Sequence, residues 1–173
     1  MKFNVDASNP LLVGAIQLLR AEDTPEHRKL FSDELSKAQL LSPVFIEPAP
    51  LVDENGVTTV EKGAKIQFPI LNANDGKKFY VAYTDVKSLK EAADSQGNAT
   101  PEVYRANYAS LGLDEFGALF AAPGPENAQN PINGIVINPF NENLVIVKDM
   151  AISLFKQKMD LIKSNIDKMK DNQ

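Results

Sequence analysis

Lys78-Phe79-Tyr80-Val81-Ala82-Tyr83-Thr84-Asp85-Val86-Lys87-Ser88-Leu89 reads as a strand that runs directly into a helix. Phe79, Val81 and Tyr83 fall on one face at a period of two, and Tyr80 and Ala82 fall on the other. Both faces are apolar or aromatic, so the strand has core on both sides and belongs at the centre of a sheet. The period then changes. Val86, Leu89 and Ala93 form a helical stripe, and Asp85 stands before it as an N-cap.

Working outward, Asn72-Ala73-Asn74-Asp75-Gly76 is a turn. Before it, Ala64, Ile66, Phe68 and Ile70 alternate with Lys65, Gln67 and Pro69, which predicts a half-buried strand with Pro69 near an edge or bulge. Asp53-Glu54-Asn55-Gly56 joins Leu51-Val52 to Val57-Thr58-Thr59-Val60 as a hairpin, and Val44-Phe45-Ile46 is a short apolar run between prolines. On the far side, residues 104–110 read as a strand, and Asp114 opens a short helix carrying Phe116, Leu119 and Phe120. Residues 122–131 form a Pro/Asn-rich loop. Gly134-Ile135-Val136-Ile137-Asn138 and Leu144-Val145-Ile146-Val147 are buried strands joined by the turn Asn138-Pro139-Phe140-Asn141.

Helices bracket this β-rich middle. Residues 10–22 put Leu11, Leu12, Ala15, Ile16 and Leu19 on one face, with Ser8 or Asn9 as cap and Pro10 in the first turn. A second helix follows Thr24, an N-cap with Pro25 and Glu26 after it. Its buried side is Leu30, Phe31, Leu35 and Ala38, and Ser42-Pro43 ends the helical region. At the C-terminus Ile152, Phe155, Met159, Ile162, Ile166 and Met169 are spaced 3, 4, 3, 4 and 3, an apolar seam widened by Leu154 and Leu161. Six lysines lie between residues 148 and 170, so this helix is basic in a chain of net charge −5.

These readings combine into an α+β fold. A mixed, largely antiparallel sheet of about five or six strands carries packed helices, with two N-terminal helices and a long C-terminal amphipathic helix. With 173 residues the chain is expected to be a single α+β domain. Residues 1–40 form a helical N-terminal segment, 41–147 the sheet body and 148–173 the C-terminal helix.

Two elements carry a family likeness. Phe79-Tyr80-Val81-Ala82-Tyr83-Thr84-Asp85, with Leu89 after it, resembles the strand-to-helix element of SseB-like proteins. Gly134-Ile135-Val136-Ile137-Asn138-Pro139 resembles their glycine, three hydrophobics, Asn-Pro strand end. Tyr83 departs from the family's usual Phe. The resemblance spans roughly residues 40–155 and leaves out both N-terminal helices and most of the C-terminal one. It implies a compact α+β domain without an established catalytic site, in a family named for a serine-sensitivity phenotype rather than a reaction.

The composition narrows the chemistry. No Cys is present, which excludes thiol catalysis, disulfides and Cys-ligated metals. The negative net charge and the excess of Lys over Arg, 15 to 3, argue against a dedicated nucleic-acid surface. Residues 10–19 are too few to span a bilayer, and the flanks do not suit a signal peptide, so no membrane partner and a cytoplasmic location are expected. His27 is the only histidine and sits early in a helix between Glu26 and Arg28, on a solvated face rather than in a site. No phosphate-cradling glycine loop or nucleophile elbow occurs. The densest carboxylate pairs, Asp53-Glu54 and Asp114-Glu115, are explained by a turn and a helix start, so no metal and no cofactor are expected.

Two surfaces remain. If the strands ending at Thr84 and Asn138 are parallel neighbours, Tyr83, Thr84, Asp85 and Asn138 share a groove suited to a cationic or amide-bearing ligand. The bland alternative is that Asp85 caps a helix and Asn138 satisfies a turn. The C-terminal seam either packs on its own sheet or meets a partner, as a homodimer or in another protein. Burying six such side chains stabilises by roughly 10 kcal/mol gross, too much to leave in water. Because the helix outruns a sheet of short strands, its second half is expected to be buried against another chain. The function expected is therefore a non-catalytic, cytoplasmic protein-interaction module. The alternative is a small-ligand binder or unorthodox enzyme using the strand-end groove.

Overall fold

The computed structural model describes residues 2–55, 57–122 and 132–171. Eleven strands and five helices follow one another among them. β1 (Lys2–Phe3), α1 (Pro10–Ala21), α2 (Pro25–Lys37) and β2 (Leu40–Pro43) open the chain. β3 (Phe45–Glu47), β4 (Leu51–Val52), β5 (Thr58–Thr59), β6 (Lys65–Gln67), β7 (Ile70–Asn72) and β8 (Lys78–Ala82) form the first β-rich half. α3 (Val86–Lys90), a 3₁₀ turn (Glu102–Tyr104), β9 (Tyr108–Leu111), α4 (Leu113–Ala121), β10 (Ile132–Ile137), β11 (Leu144–Val147) and α5 (Lys148–Asp171) complete it.

The main sheet has the order β11-β10-β8-β7, with β8 and β10 parallel and the other pairs antiparallel. A second sheet, β1-β9-β2, is antiparallel throughout. The two are joined by a bridge in which Leu41 and Tyr83 exchange backbone hydrogen bonds of 2.9 and 2.7 Å. β2 therefore takes over from β7 just past the end of β8. The joined order is β11-β10-β8-β2-β9-β1, a mixed and largely antiparallel α+β arrangement of six strands. β3 with β6, and β4 with β5, are small separate ladders.

β8 is central, as its two-faced pattern predicts. Ala82 and, partly buried, Tyr80 point to a core built with Leu12, Ile16, Leu35, Phe116, Phe120, Ile135 and Ile137. Phe79, Val81 and Tyr83 point to a second core with Leu89, Tyr108 and Val136. α1, α2, α4 and the start of α5 contribute to the first core, and α3 to the second. Apolar side chains on both faces are what a parallel strand pair requires.

Several boundaries differ from the sequence reading. The N-terminal helical region ends at Lys37, not at Ser42-Pro43, because Leu40 to Pro43 pair with β9 and all four residues are buried. The alternating stretch from Ala64 to Ile70 breaks at Phe68-Pro69 into β6 and β7, which pair with different strands, and Ile66 and Ile70 are exposed rather than inward. The segment at 104–110 is a 3₁₀ turn followed by β9, and α3 stops before Ala93. Leu11 and Leu30 face solvent, since α1 and α2 pack partly on each other and expose one edge of each stripe. Asn9 is the N-cap residue of α1, but its side chain makes no capping hydrogen bond. Its amide instead donates to the carbonyls of Gln39 and Thr84. Thr24 caps α2 as expected, accepting from the His27 amide. Most of the 122–131 loop lies outside the described residues.

Candidate functional site

The parallel pairing of β8 and β10 brings their C-terminal ends together, with Ile137 opposite Ala82. Just beyond, the Asn138 amide donates to the Ala82 carbonyl at 2.9 Å. The Asn138 side chain then closes the junction. Its Oδ1 accepts from the Thr84 backbone N–H at 3.0 Å, and its Nδ2 donates to Thr84 Oγ1 at 2.9 Å. The Thr84 hydroxyl in turn donates a hydrogen bond to Asp85 Oδ2 at 2.9 Å. Asp85 accepts from the Ser88 amide at 2.7 Å and the Ser88 hydroxyl at 3.0 Å, so it is the N-cap of α3. One polar chain thus runs from β10 through β8 to the first turn of α3.

The electrostatics follow from these partners. Burial alone would raise the Asp85 carboxyl, but the bonds from the Ser88 amide and from the Thr84 and Ser88 hydroxyls outweigh it and hold the pKa below the ordinary aspartate value. Tyr83, buried against the second core, is pushed up to about 12 by loss of water. It therefore stays a neutral phenol over the physiological range.

The four residues expected to share a groove are brought together, but not as an open set. Thr84 and Asn138 are buried and bonded to each other. Tyr83, Asp85 and Asn138 border a polar hollow of about 440 Å³ whose rim includes Lys87, Glu91 and Asn141. Beside it lies a smaller apolar cleft of about 140 Å³ that sequence reasoning did not foresee. Its walls include Pro43, Ile70, Leu89, Arg105 and Phe140. Phe140 borders both hollows, half exposed, at φ 64°, a conformation that bulky side chains rarely adopt. Arg105 Nη1 donates to the Lys90 carbonyl at 2.7 Å, while its Nε is buried without a partner among the described residues. No local signal marks this cleft, because its walls come from five separated segments.

The other candidate surface is α5. Gly117 of α4 lies against Ala151, and a Cβ at Gly117 would fall 2.1 Å from the Ala151 carbonyl oxygen, so only glycine allows this approach. Further along, Lys158 forms an ion pair with Asp114 near the start of α4. The contacts run in opposite senses, so α4 begins beside Lys158 and the rest of α5 continues past that end. Ile152 and Phe155 are half-buried. Met159, Ile162, Ile166 and Met169 are exposed, at 37%, 41%, 46% and 71%, and Leu161 beside them reaches 63%.

The remaining candidates are accounted for locally. His27 Nδ1 sits 2.7 Å from the Glu22 carbonyl. Asp53 accepts from turn amides, and Glu115 accepts from the Gly112 amide at 2.9 Å. Among the described residues no cluster of three or more His, Asp or Glu could hold a metal ion, and no helix is long and apolar enough to cross a membrane.

A six-strand α+β sheet with a parallel central pair, tied at its strand ends by an Asn-Thr clamp, defines the class of the protein. The chain belongs to the family described as SseB protein N-terminal domain, whose sequence model matches residues 12–152. The match starts within α1, so the N-terminal helices that the residue likeness left out are part of the family domain. It stops in α5 at Ile152, ahead of the exposed stripe. No curated protein and no solved structure matches the chain.

Proposed function

We propose that this chain is a non-catalytic protein-interaction module whose contact surface is the free half of α5. The observation that carries the reading is the continuation of a docked apolar stripe into solvent. Ile152 and Leu154 pack against the core, and the same helix then exposes Met159, Leu161, Ile162, Ile166 and Met169 beyond the N-terminal end of α4. From Met159 to Asp171 the free segment is about 20 Å long at 1.5 Å per residue. Burying a side chain of this size stabilises by about 1.5–3 kcal/mol, so a surface that accepts the four seam residues Met159, Ile162, Ile166 and Met169 has a substantial driving force. A contiguous exposed apolar stripe on a soluble fold marks an interaction surface.

The test is Ile162→Asp combined with Ile166→Asp in the full chain. The variant is expected to melt at the temperature of the wild type and to lose a complex that wild-type protein forms with a purified partner or with itself. If the variant instead melts many degrees earlier, the stripe is part of the protein's own core and the reading fails.

A second reading is favoured by the apolar cleft, where Phe140 is held in an unusual backbone conformation at the mouth and Arg105 Nε has no partner among the described residues. A small, mostly apolar ligand carrying one hydrogen-bond acceptor for the Arg105 Nε–H would enter between them. Titration with small apolar compounds carrying such an acceptor, followed by NMR, should move the Phe140, Arg105 and Tyr83 amides together. Shifts scattered over the surface would remove this reading.

A further inference from the structure

We infer that the occupant of the α5 stripe is an amphipathic helix with acidic flanks on a different protein, not a second copy of this chain. The inference rests on the interaction reading of α5 and adds the chemistry of the partner. It comes from where the charges fall around the exposed stripe. With Ile152, Phe155, Met159, Ile162, Ile166 and Met169 as the seam, the positions immediately beside it on one side are Lys156 and Lys163, both exposed. On the other side stand Lys158 and Asn165. Asp160 of the same segment stands one residue before Leu161, turned about 130° from the middle of the seam at 3.6 residues per turn. The exposed part of the apolar stripe is therefore edged by ammonium groups, and the Asp160 carboxylate lies away from it.

Residues beside the seam of a helix pair face each other across it and decide which partner is accepted. Antiparallel self-pairing would set Lys163 against Lys163 of the other copy. Parallel self-pairing would set Lys158 against Lys163. Either orientation of a homodimer brings like charges together where the apolar contact is closest. Lys158 is already paired with Asp114 of its own chain, which leaves Lys156 and Lys163 as the cations offered to a partner. Their complement is a helix with apolar residues at spacings of three and four and Glu or Asp beside them. Two methionines in the stripe suit such a surface, since unbranched thioether side chains adapt to the shape of the partner. Charge pairs at the edge of an interface act mainly on encounter rate and selectivity, so salt should weaken this association.

The experiment uses this protein as its own probe. Lys156→Glu and Lys163→Glu, with Lys158→Gln so that no cation faces position 163 in a parallel self-pairing, convert the exposed helix into an acid-edged amphipathic helix on the same scaffold. Wild type alone and the charge-reversed variant alone are expected to sediment as monomers. Their equimolar mixture is expected to form a 1:1 complex that high salt dissociates. Adding Ile162→Asp and Ile166→Asp to either component should abolish the complex. Wild type that dimerises alone through these isoleucines would overturn the inference while leaving the interaction reading standing. A mixture that stays monomeric, with the double-aspartate variant fully folded, would overturn the acidic-partner inference alone. A mixture that stays monomeric, with a double-aspartate variant that unfolds, would overturn both.

Discussion

Replacing Asn138 tests whether the strand-end clamp holds the sheet together. Asn138 is 3% exposed, accepts from the Thr84 amide and donates to the Thr84 hydroxyl, while its own backbone sits at φ 46°. Asn138→Ala removes both side-chain bonds and leaves the Thr84 N–H buried without a partner, which costs about 1–3 kcal/mol. Alanine also tolerates left-handed backbone less well than asparagine, adding roughly 1 kcal/mol. The expected total is about 2–4 kcal/mol, or a fall in Tm of roughly 5–15 °C for a chain of this length. Asn138→Gly loses the same bonds but is free of the backbone strain. It should be the milder of the two, the reverse of the usual order of alanine and glycine. Thermal and urea unfolding of both variants, with Thr84→Val and the double mutant to close a cycle, would measure the coupling. That coupling is expected at about 0.5–3 kcal/mol. An Asn138→Ala variant within about 0.5 kcal/mol of wild type, or a coupling near zero, would refute the reasoning.

Two further perturbations probe the elements on either side of the clamp. Gly117→Ala should destabilise by about 1–3 kcal/mol because its Cβ would meet the Ala151 carbonyl, even though alanine is the better helix former; a stabilised variant would show that α4 and α5 are not so closely packed. Asp85→Ala should cost about 1 kcal/mol at neutral pH through loss of the cap. The Asp85 pKa is depressed in the folded state, so its contribution is present above the unfolded value of about 3.9 and fades as pH falls through the folded one. The gap between wild type and Asp85→Ala, followed by urea unfolding, should therefore narrow on acidification below about pH 4, and a gap constant with pH would contradict the hydrogen-bonded carboxylate.

The sequence by itself determined the central strand, the cap at Asp85, the turn at 72–76, both helices at the N-terminus and the whole of the C-terminal helix. In each case the determining signal is local. Alternation across Phe79 to Tyr83, a capping side chain at Thr24 or Asp85, and spacings of three and four from Ile152 to Met169 act over a few residues, and neighbouring residues suffice to read them. Local signals also located the strand ends at Thr84 and Asn138.

Tertiary structure alone decided how those ends meet and what surrounds them. Leu40 to Pro43 carry no clear strand pattern because all four residues are buried on both sides, between β8 and β9, so no alternation survives. The 64–70 stretch looks continuous, but its two halves find different partners. Thr84 and Asn138 looked like candidates for a ligand, yet being parallel neighbours lets each satisfy the other's buried polar groups. The apolar cleft depends on segments brought together from across the chain, so no stretch of sequence announces it. The seam of α5 was legible as apolar from its spacing. That the first half is the covered one followed from helix length against strand length, but the point where cover stops did not, because that depends on where α4 begins, near Lys158, a distance set by packing across the fold rather than along the helix.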